Sequence, residues 1–359
     1  MPLLLVPAVV AISPLVPSSK PAPASELVPA SELVPPPELV RNAHSVQHEN
    51  SRLRRLIAEL EAKVGWRPLT VGTSRPLSPV AGNATLLTRA RLEAIGGQSR
   101  SVILTFVNRA RLDFATTWVA HVRRLGLTNW LVGATDAEAL DRLLAQGVPC
   151  FDLHTNLPQG EWAWGSPQFH SLGPTKVRLI HSALEWNMQL VVTDIDALVL
   201  REPFAFMARW PDADFLTTSD HLSNTTNDDG LETQAADSAY NIGYMYFRPS
   251  ALPLVREWLR VIEADPEVRW DQGEFNRLAR IGRHNAAPGA LLPPQPLSDP
   301  RLFRSYHGQV VGGVLPLALF CGGHSYFAAR MPQRRNTEPY SVHTTFQCAR
   351  LPSHNDAPT

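Results

Sequence analysis

From residue 98 the chain alternates short apolar runs with amphipathic stretches. Residues 101–107 (SVILTFV) are almost continuously apolar, which predicts a strand covered on both faces. Residues 111–125 place Phe114, Trp118, Val122 and Leu125 at helical spacing, and 129–132 reads as a second strand. A helix is predicted over 135–146, with Thr135 as N-cap, Glu138 three residues on and Gly147 just past its end. Residues 148–153 form a third predicted strand. Strand, helix, strand, helix, strand implies right-handed crossovers and a parallel sheet.

A Trp/Gly-rich loop at 160–170 (GEWAWGSPQFH) interrupts this rhythm. A helix is predicted over 176–186, with Val177, Ile180 and Leu184 on one face. The buried strand 190–193 runs straight into Asp194-Ile195-Asp196. Further strands are predicted at 215–218 and 240–247, and helices at 252–264 and 272–280; the remainder reads as loop-rich. The pattern is that of an α/β domain of about 250 residues, within single-domain size.

The amino-terminal third differs. Residues 1–41 hold ten of the 32 prolines and repeat ASELVP, which predicts a disordered or polyproline-like tether. The apolar stretch 2–16 is interrupted by Pro7 and Pro14 and lacks a basic start. It reads either as a poor signal or anchor or as a disordered apolar tail. Across 43–65, Val46, Leu53, Ile57, Leu60 and Val64 trace an a/d seam. That seam fits a short self-associating stem or a lone amphipathic helix. A linker spans 66–97, the globular domain 98–348, and a disordered tail 349–359.

Thirty-three basic and 33 acidic residues leave no net charge, which argues against a nucleic-acid binder held by bulk charge. Three basic residues are lysines, and one of them, Lys176, opens the helix before the Asp-Ile-Asp strand. A surface lysine is the plain reading of it. Cys150, Cys321 and Cys348 match no zinc or iron–sulfur spacing and cannot all pair. Phosphate-loop, dinucleotide and nucleophile-elbow motifs do not occur where they would need to.

The strongest chemical signal is Asp194 and Asp196 at the end of a buried strand. In open α/β sheets ligands bind at the carboxyl ends of strands. Two carboxylates placed together repel unless a proton or cation joins them, and a divalent metal with hard oxygen ligands solves this. The plain alternative is a turn-capping Asp194 with a solvated Asp196. Seven acidic residues and no Lys or Arg lie between 211 and 247, and most of these read as a solvated acidic loop. Asn241 and Gly243 interrupt an apolar strand, through close approach of a ligand or through a bulge. Asp271 and Gln272 begin a helix, where Asp271 can be simply an N-cap. His343 follows a short predicted strand and is a capable third metal ligand.

In combination these stretches resemble the nucleotide-diphospho-sugar transferases of glycosyltransferase family 77, and among them the extensin arabinosyltransferases of plants and green algae. The residues that carry the resemblance are Leu112-Asp-Phe114, Trp164-Gly-Ser-Pro167, Thr193-Asp-Ile-Asp196, Asp212-Ala-Asp214 with Thr218-Ser-Asp220, Ala239-Tyr-Asn-Ile-Gly243, Trp270-Asp-Gln272 with Phe275-Asn276, and 340–347 (YSVHTTFQ). The resemblance implies a GT-A (Rossmann-like) α/β fold with a mostly parallel central sheet flanked by helices. It further implies a metal-dependent retaining transfer from a UDP-sugar, with Mn2+ or Mg2+ as cofactor. Asp194, Asp196 and His343 are the implied metal ligands. Thr105, Asn108, Lys176, Asp194, Asn241 and Gly243 are the expected donor-binding residues, and Asp271 and Gln272 the expected catalytic pair. The implied donor is UDP-arabinofuranose, the acceptor an arabinosylated hydroxyproline-rich glycoprotein, and the location the Golgi, either tethered through the N-terminus or lumenal. A cytoplasmic protein, an inactive transferase-like scaffold and a sugar nucleotidyltransferase stay open as alternatives.

Overall fold

The computed structural model describes residues 85–155, 166–233, 239–281 and 296–344. All lie in the second of two units, Leu77–Thr359; the first is Met1–Pro76. The proline-rich tail, the 43–65 seam, the tryptophans of the 160–165 loop, Cys348 and the 349–359 tail therefore lie outside the described residues.

In chain order the main elements are α1 (Arg89–Gly96), β1 (Ser101–Val107), α2 (Leu112–Arg124), β2 (Trp130–Ala134), α3 (Ala137–Ala145), β3 (Cys150–Asp152), α4 (Leu172–Glu185), β4 (Gln189–Thr193), β5 (Ala197–Val199), β6 (Phe215–Ser219), β7 (Tyr240–Phe247), α5 (Leu252–Ala264), α6 (Asp271–Arg280), β8 (Phe303–Ser305), β9 (Val310–Val314), β10 (Phe320–Gly322) and β11 (Ser341–His343). Eight strands form one sheet in the order β3-β2-β1-β4-β7-β6-β9-β8, and β10-β11-β5 form a second. Parallel pairs join β3 to β2, β2 to β1, β1 to β4 and β6 to β9. β7 runs antiparallel between β4 and β6. The expectation of an α/β fold with a mostly parallel central sheet thus holds.

Alternation along the strands divides the core. One face carries Val102, Leu104 and Val192 against Val177 and Ile180 of α4, with Trp258 of α5 and Phe275 of α6 in the same cluster. Complete burial of each such side chain contributes about 1.5–3 kcal/mol. Trp118 of α2 donates its indole N–H to Thr193 Oγ1 at 3.1 Å and meets Trp130 edge-on at 5.8 Å. The helix stripes and buried runs of the sequence are therefore core.

Four expectations change. The expected linker already contains α1, whose Leu92 is fully buried. The N-cap of α3 is Asp136, which accepts from the Ala139 amide, and not Thr135. Thr135 instead donates its amide to Val107 O at 3.0 Å and so extends the edge of β1. Helix α4 starts at Leu172, four residues earlier than its apolar stripe implied, and takes Pro174 into its first turn. Proline is tolerated there because the first turn's N–H groups have no intrahelical acceptor. Finally, the stretch expected to be loop-rich supplies β8, β9 and β10 besides the short strand expected before His343, which is β11. These strands are three to five residues long, too short to show a period.

Candidate active site

β1 to β4 point their carboxyl ends to one edge, and β6 ends there too because it is parallel to β4 across β7. Asp194 follows β4 directly, and Asp196 stands immediately before β5. β5 pairs antiparallel with β11, with Ala197 opposite His343. A pairing between segments about 150 residues apart thus brings His343 beside the two aspartates. One ligand atom from each of Asp194, Asp196 and His343 lies within 4.8 Å of the others. His343 Nε2 is 3.3 Å from Asp196 Oδ1 and 3.8 Å from Asp194 Oδ2. Two hard carboxylates and an imidazole nitrogen form a donor set that suits a divalent cation.

The imidazole is held from behind. Its Nδ1 lies 3.1 Å from Asn241 Oδ1, which leaves Nε2 facing the carboxylates. Gly243 makes room for the ring: a Cβ there would stand 2.6 Å from His343 Nε2 and nearer still to Cε1 and Nδ1. The sequence offered a ligand or a bulge as reasons for this glycine. The bulge is present, since the β6–β7 register shifts between Thr217 and Thr218. The close approach comes from the protein's own histidine.

Lys176 is no surface lysine. Its side chain is 3% exposed, and its ammonium donates to Asp194 Oδ1 at 2.6 Å and to Ile242 O at 2.7 Å. One oxygen of Asp194 is thereby committed to Lys176, and Oδ2 is the one turned to His343. Asp271 stands at the first position of α6, with Trp270 rather than Asp271 at the cap. Its Oδ1 accepts from the Gln272 amide at 2.8 Å. Asp271 packs on Gly173, where a Cβ would come within 2.9 Å of Asp271 Cβ, so it lies against the first turn of the helix that carries Lys176.

Gln272 donates through Nε2 to Asp220 Oδ2 at 3.0 Å and accepts from the Ile242 amide at 3.4 Å. Asp220 Oδ1 accepts from Asn241 Nδ2 at 2.7 Å. The carboxamide of Asn241 is therefore engaged by Asp220, His343 and the Gly243 amide. Asp220 was one of seven acidic residues in a lysine-free and arginine-free stretch, and only its place in the quoted Thr-Ser-Asp signature set it apart. The other expected donor residues lie elsewhere. Thr105 sits inside β1 with no exposure, so its hydroxyl is closed to a ligand. Asn108 leads into the turn after β1, with Arg111 N donating to its carbonyl at 3.1 Å.

Charge in the cluster is unevenly balanced. Burial opposes ionisation of Asp196, but the facing His343 outweighs it and holds that carboxyl below its ordinary value. Burial likewise opposes a charge on His343, yet Asp196 and Asp194 hold the imidazole above its ordinary value. The carboxyls of Asp220 and Asp271 are raised, in both cases first by burial. Beyond His343 the cluster opens onto a pocket whose lining includes Thr218, Asp220, Cys321, His324 and Ser325. Cys150 and Cys321 are both free and buried. Among the described residues no helix is long and apolar enough to cross a membrane.

The family model described as nucleotide-diphospho-sugar transferase matches residues 125–350. Over 251 residues the chain is 43% identical to arabinosyltransferase XEG113 of Arabidopsis thaliana, covering 69% of this chain and 37% of that protein. Over 244 residues it is 25% identical to arabinosyltransferase RRA2 of Arabidopsis thaliana, covering 64% of this chain and 56% of that protein. The chain thus spans less than two thirds of the length of either relative. A solved glycosyltransferase involved in the glycosylation of the major capsid of PBCV-1 aligns at a TM-score of 0.37 and 11% identity, over 69% of this chain and 94% of that one.

Proposed function

Because the chain belongs to the nucleotide-diphospho-sugar transferase family, we propose that it is a GT-A glycosyltransferase that moves a sugar from a UDP-sugar with retention of configuration. The observation that carries this reading is the convergence of Asp194, Asp196 and His343 at the carboxyl edge of the sheet. The likeness to two arabinosyltransferases supports arabinofuranose as the sugar and an arabinosylated hydroxyproline-rich glycoprotein as the acceptor. A Golgi location fits that acceptor. In the same reading the N-terminal stretch serves as a tether and residues 43–65 as a self-associating stem. The zero net charge fits a protein without a nucleic-acid partner.

Asp194, Asp196 and His343 are the residues that would hold Mn2+, or Mg2+ in its place. The cation supplies positive charge to the leaving diphosphate. Lys176 fixes the orientation of Asp194 and adds a buried positive charge beneath the phosphates. Asn108 follows β1 at the carboxyl edge of the sheet, outside the cluster itself, and serves the donor from there. Asp271 stabilises the positive charge that grows on the sugar carbon, and Gln272 lies beside it. Among the described residues none is compelling as a covalent nucleophile, so the acceptor approaches from the face the diphosphate leaves. Its oxygen bonds to the sugar carbon as the carbon–phosphate-oxygen bond breaks, and its proton passes to the departing phosphate.

The test is a panel of UDP-sugars with and without Mn2+, reading released UDP. Release from UDP-arabinofuranose that depends on Mn2+ is the expected result. Metal-independent release, or none from any UDP-sugar, overturns the reading.

A further inference from the structure

We propose that Asp220 is a positioning residue that sets the tautomer of His343 through Asn241. This rests on the reading of Asp194, Asp196 and His343 as a cation site. A histidine nitrogen binds a cation only through its lone pair, so the proton must sit on the other nitrogen. Two backbone donors and the Asp220 carboxylate together decide where it sits here. The Gly243 amide donates to Asn241 Oδ1 at 2.8 Å, and the Ile242 amide donates to Gln272 Oε1 at 3.4 Å. Each favours one orientation of a side-chain amide, because a backbone N–H seeks an oxygen opposite it, and neither bond is sufficient alone.

Both NH2 groups then turn to Asp220, and its two oxygens accept them at 2.7 and 3.0 Å. A carboxylate can only accept, so it enforces the same orientation from the far side. Asn241 Oδ1 is left facing His343 Nδ1 at 3.1 Å. An oxygen there requires the proton on Nδ1, and Nε2 keeps its lone pair toward Asp194 and Asp196. If Asn241 were turned over, its NH2 would face Nδ1, the proton would move to Nε2 and the cation would lose a ligand. Asp220 reaches no cation ligand directly in this chain of bonds; it acts through Asn241.

The test exchanges the polarity of the pair at constant shape and charge. Asp220→Asn, Asn241→Asp and the double variant are made in the full chain. The His343 tautomer is read from imidazole 15N shifts in metal-free protein, above the pH at which the ring titrates, and Mn2+ affinity from electron paramagnetic resonance. The parent should carry its proton on Nδ1. Asp220→Asn, which allows Asn241 to turn over, should shift part of the proton to Nε2 and weaken Mn2+ by about tenfold or more. In the double variant the amide at 220 can donate to the carboxylate at 241 and accept from Gln272. It should return the tautomer to Nδ1 and the affinity to near the parent value. A parent protonated on Nε2, an Asp220→Asn variant indistinguishable from it, or a folded double variant as weak as that single variant each overturns the proposal. If the parent binds no Mn2+, the cation-site reading fails instead, and the metal-free tautomers still decide the role of Asp220.

Discussion

Gly243→Ala is the smallest change that strikes the site without touching a charge. The added methyl would stand 2.6 Å from His343 Nε2 and nearer still to two other ring atoms, so the imidazole must move. Overpacking of this kind costs about 1–3 kcal/mol. In a domain of this size that lowers the melting temperature by about 2–4 °C for each kcal/mol. The displaced ring also leaves Asn241 Oδ1, so Mn2+-dependent UDP binding should fall by about tenfold or more. Gly312→Ala is the control: its methyl would stand 2.7 Å from a ring carbon of Phe215, deep in the core. It should destabilise by a similar amount and leave UDP binding intact. Adding His343→Ala to Gly243→Ala should restore much of the stability, since the clash partner is gone, but not the binding. Calorimetry of the four proteins with UDP titrations decides the matter. Parent-like melting and UDP affinity in Gly243→Ala would refute the packing argument.

Other outcomes follow from the same contacts. Asp194→Asn and Asp196→Asn should each abolish Mn2+-dependent UDP binding while keeping the fold, checked by titration and circular dichroism. Asp271→Asn should keep its melting temperature and UDP affinity yet lose about a hundredfold in transfer, measured as turnover of UDP-sugar; near-parent turnover removes Asp271 from the chemistry. Lys176→Met strands Ile242 O in a buried place and leaves half-buried Asp194 without its ammonium partner, and should cost about 1–3 kcal/mol in denaturant unfolding. Hydrogen bonds from Arg301 hold Asp299 at about 2. That carboxyl is depressed on folding, so its contribution is complete above about pH 4 and lost as the pH falls toward 2. In melting temperature against pH, Arg301→Met should flatten the acid limb across that window.

How much of this the sequence carried depends on the range of each interaction. The buried strand that delivers Asp194 and Asp196 is a local feature, and its apolar run exposed it. The helices of the α/β half were legible from their stripes, with errors at their ends. Thr135 and Asp136 are both cap-competent, and the bond from Thr135 to β1 decided between them. Pro174 lies in the first turn of α4, ahead of the apolar stripe that marked the helix, so the stripe could not show where the helix starts. Lys176 was singled out by scarcity, which says nothing about burial. His343 was reachable through the family resemblance, because the three-residue strands that place it carry no period. The fit of His343 onto Gly243 joins positions 100 residues apart and leaves no local trace. Thr105 marks the opposite failure, a polar residue in an apolar run that faces the interior.

One irregularity explains why so many of these groups meet. In a regular sheet the amides and carbonyls of β7 would all be used in its two ladders. Here the pairing with β6 jumps from Thr217 opposite Met245 to Thr218 opposite Asn241, so residues 242–244 are released on that side. Their backbone groups serve the cluster instead. Ile242 O receives Lys176, and the Ile242 amide faces Gln272. The Gly243 amide holds Asn241, while Gly243 O extends the ladder on the opposite, β4 side by receiving the Asp194 amide at 2.8 Å. Thr217 and Thr218 seal the shift by donating their hydroxyls to Asn241 O at 2.8 and 3.1 Å. The irregularity thus leaves backbone groups of β7 as fixed anchors for a lysine and two side-chain amides, beside the ladder bond that holds the start of the Asp194 turn, and a backbone anchor cannot change rotamer. Those anchors hold the cluster's geometry without a ligand, and the glycine at its centre is what lets the imidazole reach it.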